Sequence, residues 1–194
     1  MHLLLIATGN RHKTREISAL LGGNYQIGDL TAHPDYPSVE ESGSTFEENA
    51  RLKAEAIASL HPGLIMADDS GLEVDALGGE PGVRSARFAG EGATDGQNLR
   101  LLLERMAGKA DRRARFRCVI VLARAGESLA CFEGVCEGRI LESAVGSGGF
   151  GYDPVFVPEG ENETFAQLSA ERKNRISHRG RALAKALEWL KKRA

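Results

Sequence analysis

The stretch IMADDSGLEVDALGG, residues 65–79, joins an apolar run to two adjacent aspartates and then to a Ser-Gly pair. Residues 64–67 predict a buried strand, because a short apolar run without alternation is typical of a strand covered on both faces. We expect this strand to deliver Asp68 and Asp69 at its C-terminal end. Adjacent strand residues point to opposite faces, so the two carboxylates are not expected to share one role.

The segments around this strand predict an α/β fold with a mixed sheet, since helical connections come first and a long hairpin follows. Thr45 and Glu48 have the spacing of a capping box at a helix start. In chain order we expect strands over 2–7, 25–30 and 64–67, helices over 11–23, 45–60, 97–108 and 177–194, a glycine-rich loop over 78–96, a hairpin of strands 114–125 and 128–141 that turns at Gly126-Glu127, and a short strand within 146–160.

Composition limits the possible functions. A chain of 194 residues, 42% hydrophobic and 27% charged, has the composition of a folded protein, and we expect one domain over 1–194. The formal net charge of −2 gives no sign of a general nucleic-acid or membrane binder, which is usually basic. No run approaches the ~18 apolar residues of a membrane span. The three cysteines lack a CxxC spacing, so the pattern favours a cytoplasmic protein and does not predict a zinc site.

The segment ATGNRHK (7–13) predicts a phosphate site. A strand that runs through a glycine turn into a helix leaves free backbone N–H groups at the helix N-terminus, and these attract phosphate oxygens. Lys13 lies in the first helical turn and adds a positive charge. The segment is neither a Walker loop nor a GxGxxG turn. An Asn10 helix cap beside a solvated Lys13 explains the pattern equally well.

The aspartate pair, together with Glu40 and Glu41, predicts a site for a hard cation. Carboxylate oxygens suit Mg²⁺, which keeps several of its waters. One aspartate would bind the metal while the other orients or deprotonates water. The alternative is that Asp68 caps a turn and Asp69 pairs with an arginine. The position after a buried strand and before Ser70-Gly71 favours the functional interpretation.

The segments GGFGYD (148–153) and ERKNRISHR (171–179) predict a site for a planar ring. The glycines allow close approach of a ligand to the backbone, and Phe150 and Tyr152 offer flat faces for a nucleobase. Hydrogen-bond donors near a helix start complete the group: Lys173, His178 and Arg179. An ordinary aromatic core residue and a solvated basic helix end explain these features when each is taken singly.

Four separated motifs resemble those of the inosine triphosphate pyrophosphatase family and occur in the family's order: TGNRHK (8–13), ADDSGLEVDALGGEPG (67–82), GGFGYDP (148–154) and SHRGRAL (177–183). The resemblance runs from Leu3 to about Leu190. It implies an α/β fold with an elongated mixed β-sheet flanked by helices and two lobes around a central cleft. It also implies a homodimer that uses Mg²⁺ to hydrolyse ITP, dITP and XTP to the monophosphate and pyrophosphate.

The resemblance also assigns roles to residues of this chain. Asp69 would be the proton acceptor for a water that attacks the α-phosphorus, and it would contact the metal together with Glu40. His178 and Arg179 would donate hydrogen bonds to the C6 carbonyl oxygen of the base. Ser70 would contact the substrate. The contacts to the triphosphate would be Thr8, Gly9, Asn10, Arg11, His12 and Lys13. The contacts to the base and sugar would be Phe150, Gly151, Tyr152, Asp153, Lys173, His178 and Arg179.

Two other functions stay open. A purine-nucleotide sensor would keep the pocket and lose the chemistry, although a sensor has no need of the Asp68-Asp69 pair. A pyrophosphatase for modified pyrimidine nucleotides is the second alternative, and the SHR motif at 177–179 argues against it.

Overall fold

One six-stranded sheet organises the part of the chain that the structure describes. The structure is a computed structural model, and it describes residues 2–21 and 25–193. The strands are β1 (His2–Ile6), β2 (Tyr25–Asp29), β3 (Leu64–Val74), β4 (Arg113–Arg124), β5 (Glu127–Ile140) and β6 (Phe156–Pro158). The helices are α1 (Arg11–Leu21), α2 (Phe46–Ala58), α3 (Asp95–Met106), α4 (Ala170–Ile176) and α5 (His178–Lys191).

The sheet is mixed, as the sequence predicts. Its strand order is β2-β1-β3-β4-β5-β6. β1 is parallel to both of its neighbours, so that Leu4 pairs with Ile27 on one side and with Leu64 on the other. β5 and β6 are antiparallel, with Arg139 opposite Val157. Parallel strands need crossover connections, which here contain α1 and α2, so the predicted α/β class is confirmed.

Two compact units divide the chain, and each has its own apolar core. Unit 1 consists of Met1–Asp69, Cys118–Gly134 and Arg179–Ala194, and unit 2 of Ser70–Arg117 and Val135–His178. The core of unit 1 contains Leu4, Ile6, Ile17, Leu21, Leu64, Met66, Cys118, Ile120, Leu122, Ala182, Leu183, Ala186 and Leu190. The core of unit 2 contains Leu72, Val74, Leu102, Met106, Ala114, Phe116, Cys136, Ile140, Tyr152, Val155, Phe156 and Phe165. The division falls within β3, directly after the aspartate pair.

The strand predicted over 64–67 is longer than expected. β3 continues through Asp68 and Asp69 to Val74, so the aspartates lie in the middle of the strand and the prediction that they end it is wrong. Most side chains of β3 are buried. Buried charges persist only when they are paired, and the cations that surround both carboxylates let the strand continue.

The hairpin turn and one short helix also differ from the sequence prediction. The turn between β4 and β5 is Ala125-Gly126 and not Gly126-Glu127, with φ of 53° at Ala125 and 82° at Gly126. Positive φ at both central residues gives the twist that two-residue hairpin turns favour. The sequence pattern also fails to predict α4, because its 7 residues are too short to show an apolar stripe.

The predicted capping of α2 is confirmed, since Thr45 and Glu48 form both hydrogen bonds of the capping box. A second capping box starts α3, which begins at Asp95 rather than at 97. α1 is described to Leu21, and its predicted end at Gly22-Gly23 lies outside the described residues. Within the described ranges, no helix combines the length and the apolar character needed to cross a membrane.

Candidate active site

Asp68 is a buried carboxylate of unit 1 with cations at both oxygens. The Lys13 ammonium lies 2.5 Å from Oδ1, and Arg179 Nε donates to Oδ2 at 2.9 Å. The Cys118 thiol donates to Oδ2, also at 2.9 Å. Burial alone would raise the pKa of Asp68, but the Arg179 guanidinium and the Lys13 ammonium hold that pKa well below its usual range. Asp68 is therefore anionic near neutral pH and serves as a counter-ion rather than as a base.

Arg179 is buried within unit 1, where carboxylates accept its hydrogen bonds. It is 1% exposed, and its Nε and Nη2 donate to Asp68. Its Nη1 donates to Glu16 of α1, a residue that the sequence analysis missed although it lies one helical turn after Lys13. The sequence interpretation has Arg179 reading a base, whereas the structure gives its guanidinium two carboxylate partners.

Only one of the two carboxylate oxygens of Asp69 has a hydrogen-bond partner among the described residues. Its Oδ1 accepts a hydrogen bond from Lys53 Nζ at 2.8 Å. Its Oδ2 is buried and has no hydrogen-bond partner among the described residues. Burial raises the pKa of Asp69 above its ordinary value, and the Lys53 ammonium opposes this shift without cancelling it. A buried carboxylate with a raised pKa and a free oxygen has the properties of a general base.

Lys53 is the residue of this cluster that the sequence analysis missed. Its ammonium donates to Asp69 Oδ1 at 2.8 Å, to Glu41 Oε1 at 2.7 Å and to the backbone carbonyl of Asp68 at 3.0 Å. Burial lowers the pKa of Lys53, but Asp69 and Glu41 raise it to a greater extent. The sequence signal was its position three residues after Ala50 and four before Ile57, two apolar residues of the buried face of α2.

The two glutamates of the loop before α2 differ in their surroundings. Glu41 is half-buried and bonded to Lys53, whereas the Glu40 side chain is exposed. The structure thus brings Glu41, and not the predicted Glu40, to the ammonium that also binds Asp69. Within the described residues, no group of three or more His, Cys, Asp or Glu side chains is arranged to hold a metal ion.

The loop from Thr8 to Lys13 combines features of both sequence interpretations. Asn10 caps α1, because its Oδ1 accepts hydrogen bonds from the backbone N–H groups of His12 at 2.9 Å and Lys13 at 3.4 Å. Lys13, however, is not a solvated lysine, since its side chain is 14% exposed and binds Asp68. Gly9 has open space at the position of a Cβ, and Arg11 is exposed. The loop thus presents a fixed ammonium beside an accessible backbone.

In unit 2, Asp153 and Lys173 form a buried ion pair at 2.6 Å, with each residue at most 5% exposed. Asp153 Oδ2 also accepts the backbone N–H of Phe150 at 2.8 Å. The Lys173 ammonium lies 5.1 Å from the centroid of the Phe150 ring. At Gly149, φ is +70° and a Cβ would lie 2.0 Å from Asp153 Oδ2, so only glycine fits there. These contacts hold the 149–153 turn in one conformation.

Tyr152 is a core residue of unit 2. It is 4% exposed, and its hydroxyl donates to the backbone carbonyl of Ser85 at 2.8 Å. Burial raises the pKa of its phenol. The Gly151 N–H next to it donates to the Asp95 carboxylate at 2.8 Å. Tyr152 therefore matches the alternative of an aromatic core residue, and its contact with a nucleobase stays a prediction.

His178 and Ser70 complete the predicted residues of unit 2. The His178 imidazole is 4% exposed and stacks on Phe116, with ring centroids 4.7 Å apart and planes 10° apart. Ser70 is half-buried and follows Asp69 directly in β3. Their contacts with substrate stay predictions.

Comparison with known proteins gives one consistent match. The model of the Ham1 family matches residues 4–189. A dITP/XTP pyrophosphatase of Desulforamulus reducens is 50% identical over 190 residues, covering 96% of this chain and 94% of the relative. A dITP/XTP pyrophosphatase of Shouchella clausii is 46% identical over 192 residues, covering 98% and 97%.

The solved structures agree with the sequence comparison. The Ham1 protein of Staphylococcus aureus has a TM-score of 0.88 and 41% identity, covering 99% of this chain and all of that chain. A HAM1 protein from Coxiella burnetii has the same TM-score of 0.88 at 39% identity. With the aspartate pair, the Asn10-capped loop and the glycine turn in place, these matches confirm the resemblance read from the four motifs: the chain belongs to the Ham1 family.

Proposed function

We propose that this chain hydrolyses non-standard purine nucleoside triphosphates (ITP, dITP and XTP) to the monophosphate and pyrophosphate. Relatives named dITP/XTP pyrophosphatase match almost its whole length at 46% and 50% identity. The observation in the structure that carries the proposal is the unpartnered, buried Oδ2 of Asp69. A buried polar atom without a partner costs stability, and such atoms in folded proteins call for a functional explanation.

Asp69 is the proposed proton acceptor. Lys53 holds its Oδ1, which fixes the direction of Oδ2 and leaves that oxygen a lone pair that can accept from a water molecule. Transfer of one water proton to Oδ2 generates the nucleophile that attacks the α-phosphorus. The bond between the α-phosphorus and the bridging oxygen breaks, and pyrophosphate leaves with that oxygen. Asp68 cannot take this role, because both of its oxygens are occupied by cations.

Lys13 and the loop from Thr8 are the proposed triphosphate site. The Lys13 ammonium has three donors, and Asp68 Oδ1 fixes its position. A fixed ammonium loses little entropy when a phosphate oxygen binds it, and it stabilises charge that develops on the leaving group. The remaining contacts, carried over from the resemblance, are those of Ser70 with the substrate and of Phe150–Asp153, Lys173, His178 and Arg179 with base and sugar.

The residues at Asp69 fit Mg²⁺ as a cofactor. Carboxylate oxygens are its preferred ligands, and it is commonly held by one or two of them together with waters and substrate phosphates. Asp69 supplies an unpartnered oxygen, and Glu41 shares the same ammonium with it. We infer that Asp69 and Glu41 would hold the ion. When bound, Mg²⁺ neutralises charge on the triphosphate and on the leaving pyrophosphate.

The two glutamates provide a matched test of the metal ligands. We expect Glu41→Gln to raise the Mg²⁺ concentration for half-maximal activity by at least ~10-fold, the scale found for the loss of a supporting ligand. Glu40→Gln removes the same charge from an exposed neighbour and should leave that concentration almost unchanged, because an exposed charge interacts weakly with its surroundings. The reverse order would restore the Glu40 assignment that the resemblance implies.

Lys53→Met tests whether Lys53 sets the pKa of Asp69. Asp69 acts as a base only when it is ionised, and Lys53 opposes the rise in its pKa that burial causes. Removing the ammonium lets that pKa rise further, so the acid limb of the kcat/KM profile moves to higher pH. Lys109→Met, at an exposed lysine, is the control. If kcat falls while the acid limb of the kcat/KM profile stays at the same pH, Lys53 has a structural role and does not set the pKa of Asp69.

The decisive experiment for the function is a substrate panel with Mg²⁺. Pyrophosphate release is measured from ITP, dITP, XTP, ATP, GTP and the pyrimidine triphosphates, and the nucleotide product is identified as mono- or diphosphate. We expect pyrophosphate and monophosphate from the first three. Binding of ITP without any release would favour the sensor, and preferred release from pyrimidine substrates would favour the other alternative. The predicted homodimer is tested separately by sedimentation.

A further inference from the structure

A groove of unit 1 has no part in the proposed hydrolysis. It encloses about 740 Å³, within the range of ~300–1,000 Å³ that is usual for small-molecule sites. All of its described lining residues belong to unit 1. They come from the starts of β1 and β3, from the hairpin end of β4 and β5, and from the C-terminal end of α5 and the residues that follow it. None of the residues assigned to metal, triphosphate or proton transfer lines it.

The walls of this groove are apolar. Leu64 and Leu190, both members of the unit 1 core, form its buried part. Leu3 and Leu129 also line it, and each is 45% exposed. Large apolar side chains left exposed around a concavity are typical of an interaction surface. Trp189 adds a half-buried aromatic face.

Positive charge lies on this apolar surface. Arg124 and Arg193 line the groove, and both residues are exposed. The Arg193 guanidinium carbon lies 4.1 Å from the centroid of the Trp189 ring. Among the described residues neither arginine forms an ion pair, and the described lining contains no acidic side chain. The groove thus combines two arginines with mostly apolar walls, to which Tyr25 adds a phenol.

We propose that the groove binds a free amphipathic carboxylate: an aliphatic chain along Leu3, Leu129 and Trp189, with its carboxylate on Arg124 or Arg193. A planar guanidinium matches a carboxylate with two parallel hydrogen bonds. A purely ionic ligand would leave the apolar walls in water, and a purely apolar ligand would leave the arginines unused. The proposal goes beyond nucleotide hydrolysis and does not depend on it.

The chain contains one tryptophan, Trp189, so its fluorescence reports on the groove directly. The probe is decanoate below its micelle concentration, compared with decanol, which lacks the charge, and with acetate, which lacks the chain. We expect a saturable fluorescence change with decanoate. Decanol should bind at least ~10-fold more weakly, since it cannot form the charge-assisted hydrogen bonds of a carboxylate. Acetate should give no saturable change.

Variants separate the two parts of the site. Arg124→Gln combined with Arg193→Gln should weaken decanoate binding by ~10-fold or more and leave decanol binding unchanged. Leu129→Asp should abolish binding of both probes. Arg100→Gln, at an exposed arginine of unit 2 that has no role in the proposed reaction, is the matched control and should bind like the wild type. Nucleotide hydrolysis should be unchanged in every variant, because the groove is separate from the residues of that reaction.

Several outcomes would overturn the proposal. These are the absence of a saturable response, equal affinity for decanol, and an unchanged affinity in the double arginine variant. A response to anionic vesicles without one to free decanoate would overturn it in favour of a membrane surface. Self-association in sedimentation that Leu129→Asp abolishes would overturn it in favour of a second copy of the chain.

Discussion

Asp69→Asn is expected to lower kcat by ~10²–10⁴-fold, the usual cost of losing a general base. Asparagine keeps the shape of the side chain and can still accept the Lys53 hydrogen bond through its amide oxygen. It cannot accept a proton from water, and it ligates a cation more weakly. The loss should therefore appear in kcat, with a smaller effect on the binding of ITP measured without turnover.

The same substitution should have little effect on folding. Burial disfavours the ionised form of Asp69, so the fold does not depend on that charge. Lys53 also retains Glu41 and the Asp68 carbonyl as partners. We expect the free energy of unfolding to change by less than about 1.5 kcal/mol, the net contribution of an ordinary hydrogen bond. Asp35→Asn, at an exposed site, is the control for the substitution itself. Near-normal turnover of folded Asp69→Asn would remove the proposed base.

Asp68→Asn is expected to act on stability instead. Asp68 is the shared counter-ion of Arg179 and Lys13, and its carboxylate is 0% exposed. The substitution leaves Arg179 with Glu16 as its remaining carboxylate partner and takes from Lys13 its contact with Asp68. Breaking a buried ion pair by removing one partner costs about 3–5 kcal/mol. We therefore expect a large fall in the urea midpoint, measured by circular dichroism. Activity should fall as well, because Lys13 loses the contact that positions it.

A double variant distinguishes the ion pair from a general packing defect. Arg179→Met in the Asp68→Asn background removes the guanidinium that would otherwise be left without a charge partner on β3. We expect the double variant to be more stable than the sum of the two single changes predicts, with a coupling energy within ~0.5–3 kcal/mol. Simple additivity would show that Arg179 and Asp68 do not stabilise each other.

The stability difference between wild type and Asp68→Asn should also depend on pH. The pKa of Asp68 is lowered in the folded protein, so its contribution is fully present above the unfolded value of 3.8. It is lost as the pH falls below 3.8 towards the lower folded value. The difference in unfolding free energy should therefore be constant near neutral pH and shrink in acid. A difference that grows in acid would contradict the ion pair.

The parts of the fold that the sequence predicts are those set by local chemistry. The Thr45 capping box and the apolar stripes of the long helices depend on residues within a few positions of one another. The extension of β3 depends instead on distant residues. Arg179 neutralises Asp68 across 111 positions, and Lys53 pairs with Asp69 across 16. Nothing in the spacing of residues 65–79 indicates where these cations come from, so the aspartates look like a strand end.

The site shows the same division. Asp69, Lys13 and the Asn10 cap could be identified from motif residues. The choice of Asp69 over Asp68 as base came only from the resemblance, because the residue pattern does not show which carboxylate has both oxygens occupied. The choice between Glu40 and Glu41 also depends on which side chain a loop turns inward, and no periodicity applies to a loop.

The arrangement of unit 1 affects when the chain can fold during its synthesis. Its core joins β1 at one end of the sequence to α5 at the other. Synthesis delivers the N-terminal part first, so Asp68 emerges from the ribosome long before Arg179. Until that last helix arrives, the carboxylate lacks one of its two cations and the core lacks Leu183 and Ala186. A premature stop codon before position 179 should therefore give an inactive, protease-sensitive polypeptide and not an enzyme of reduced activity.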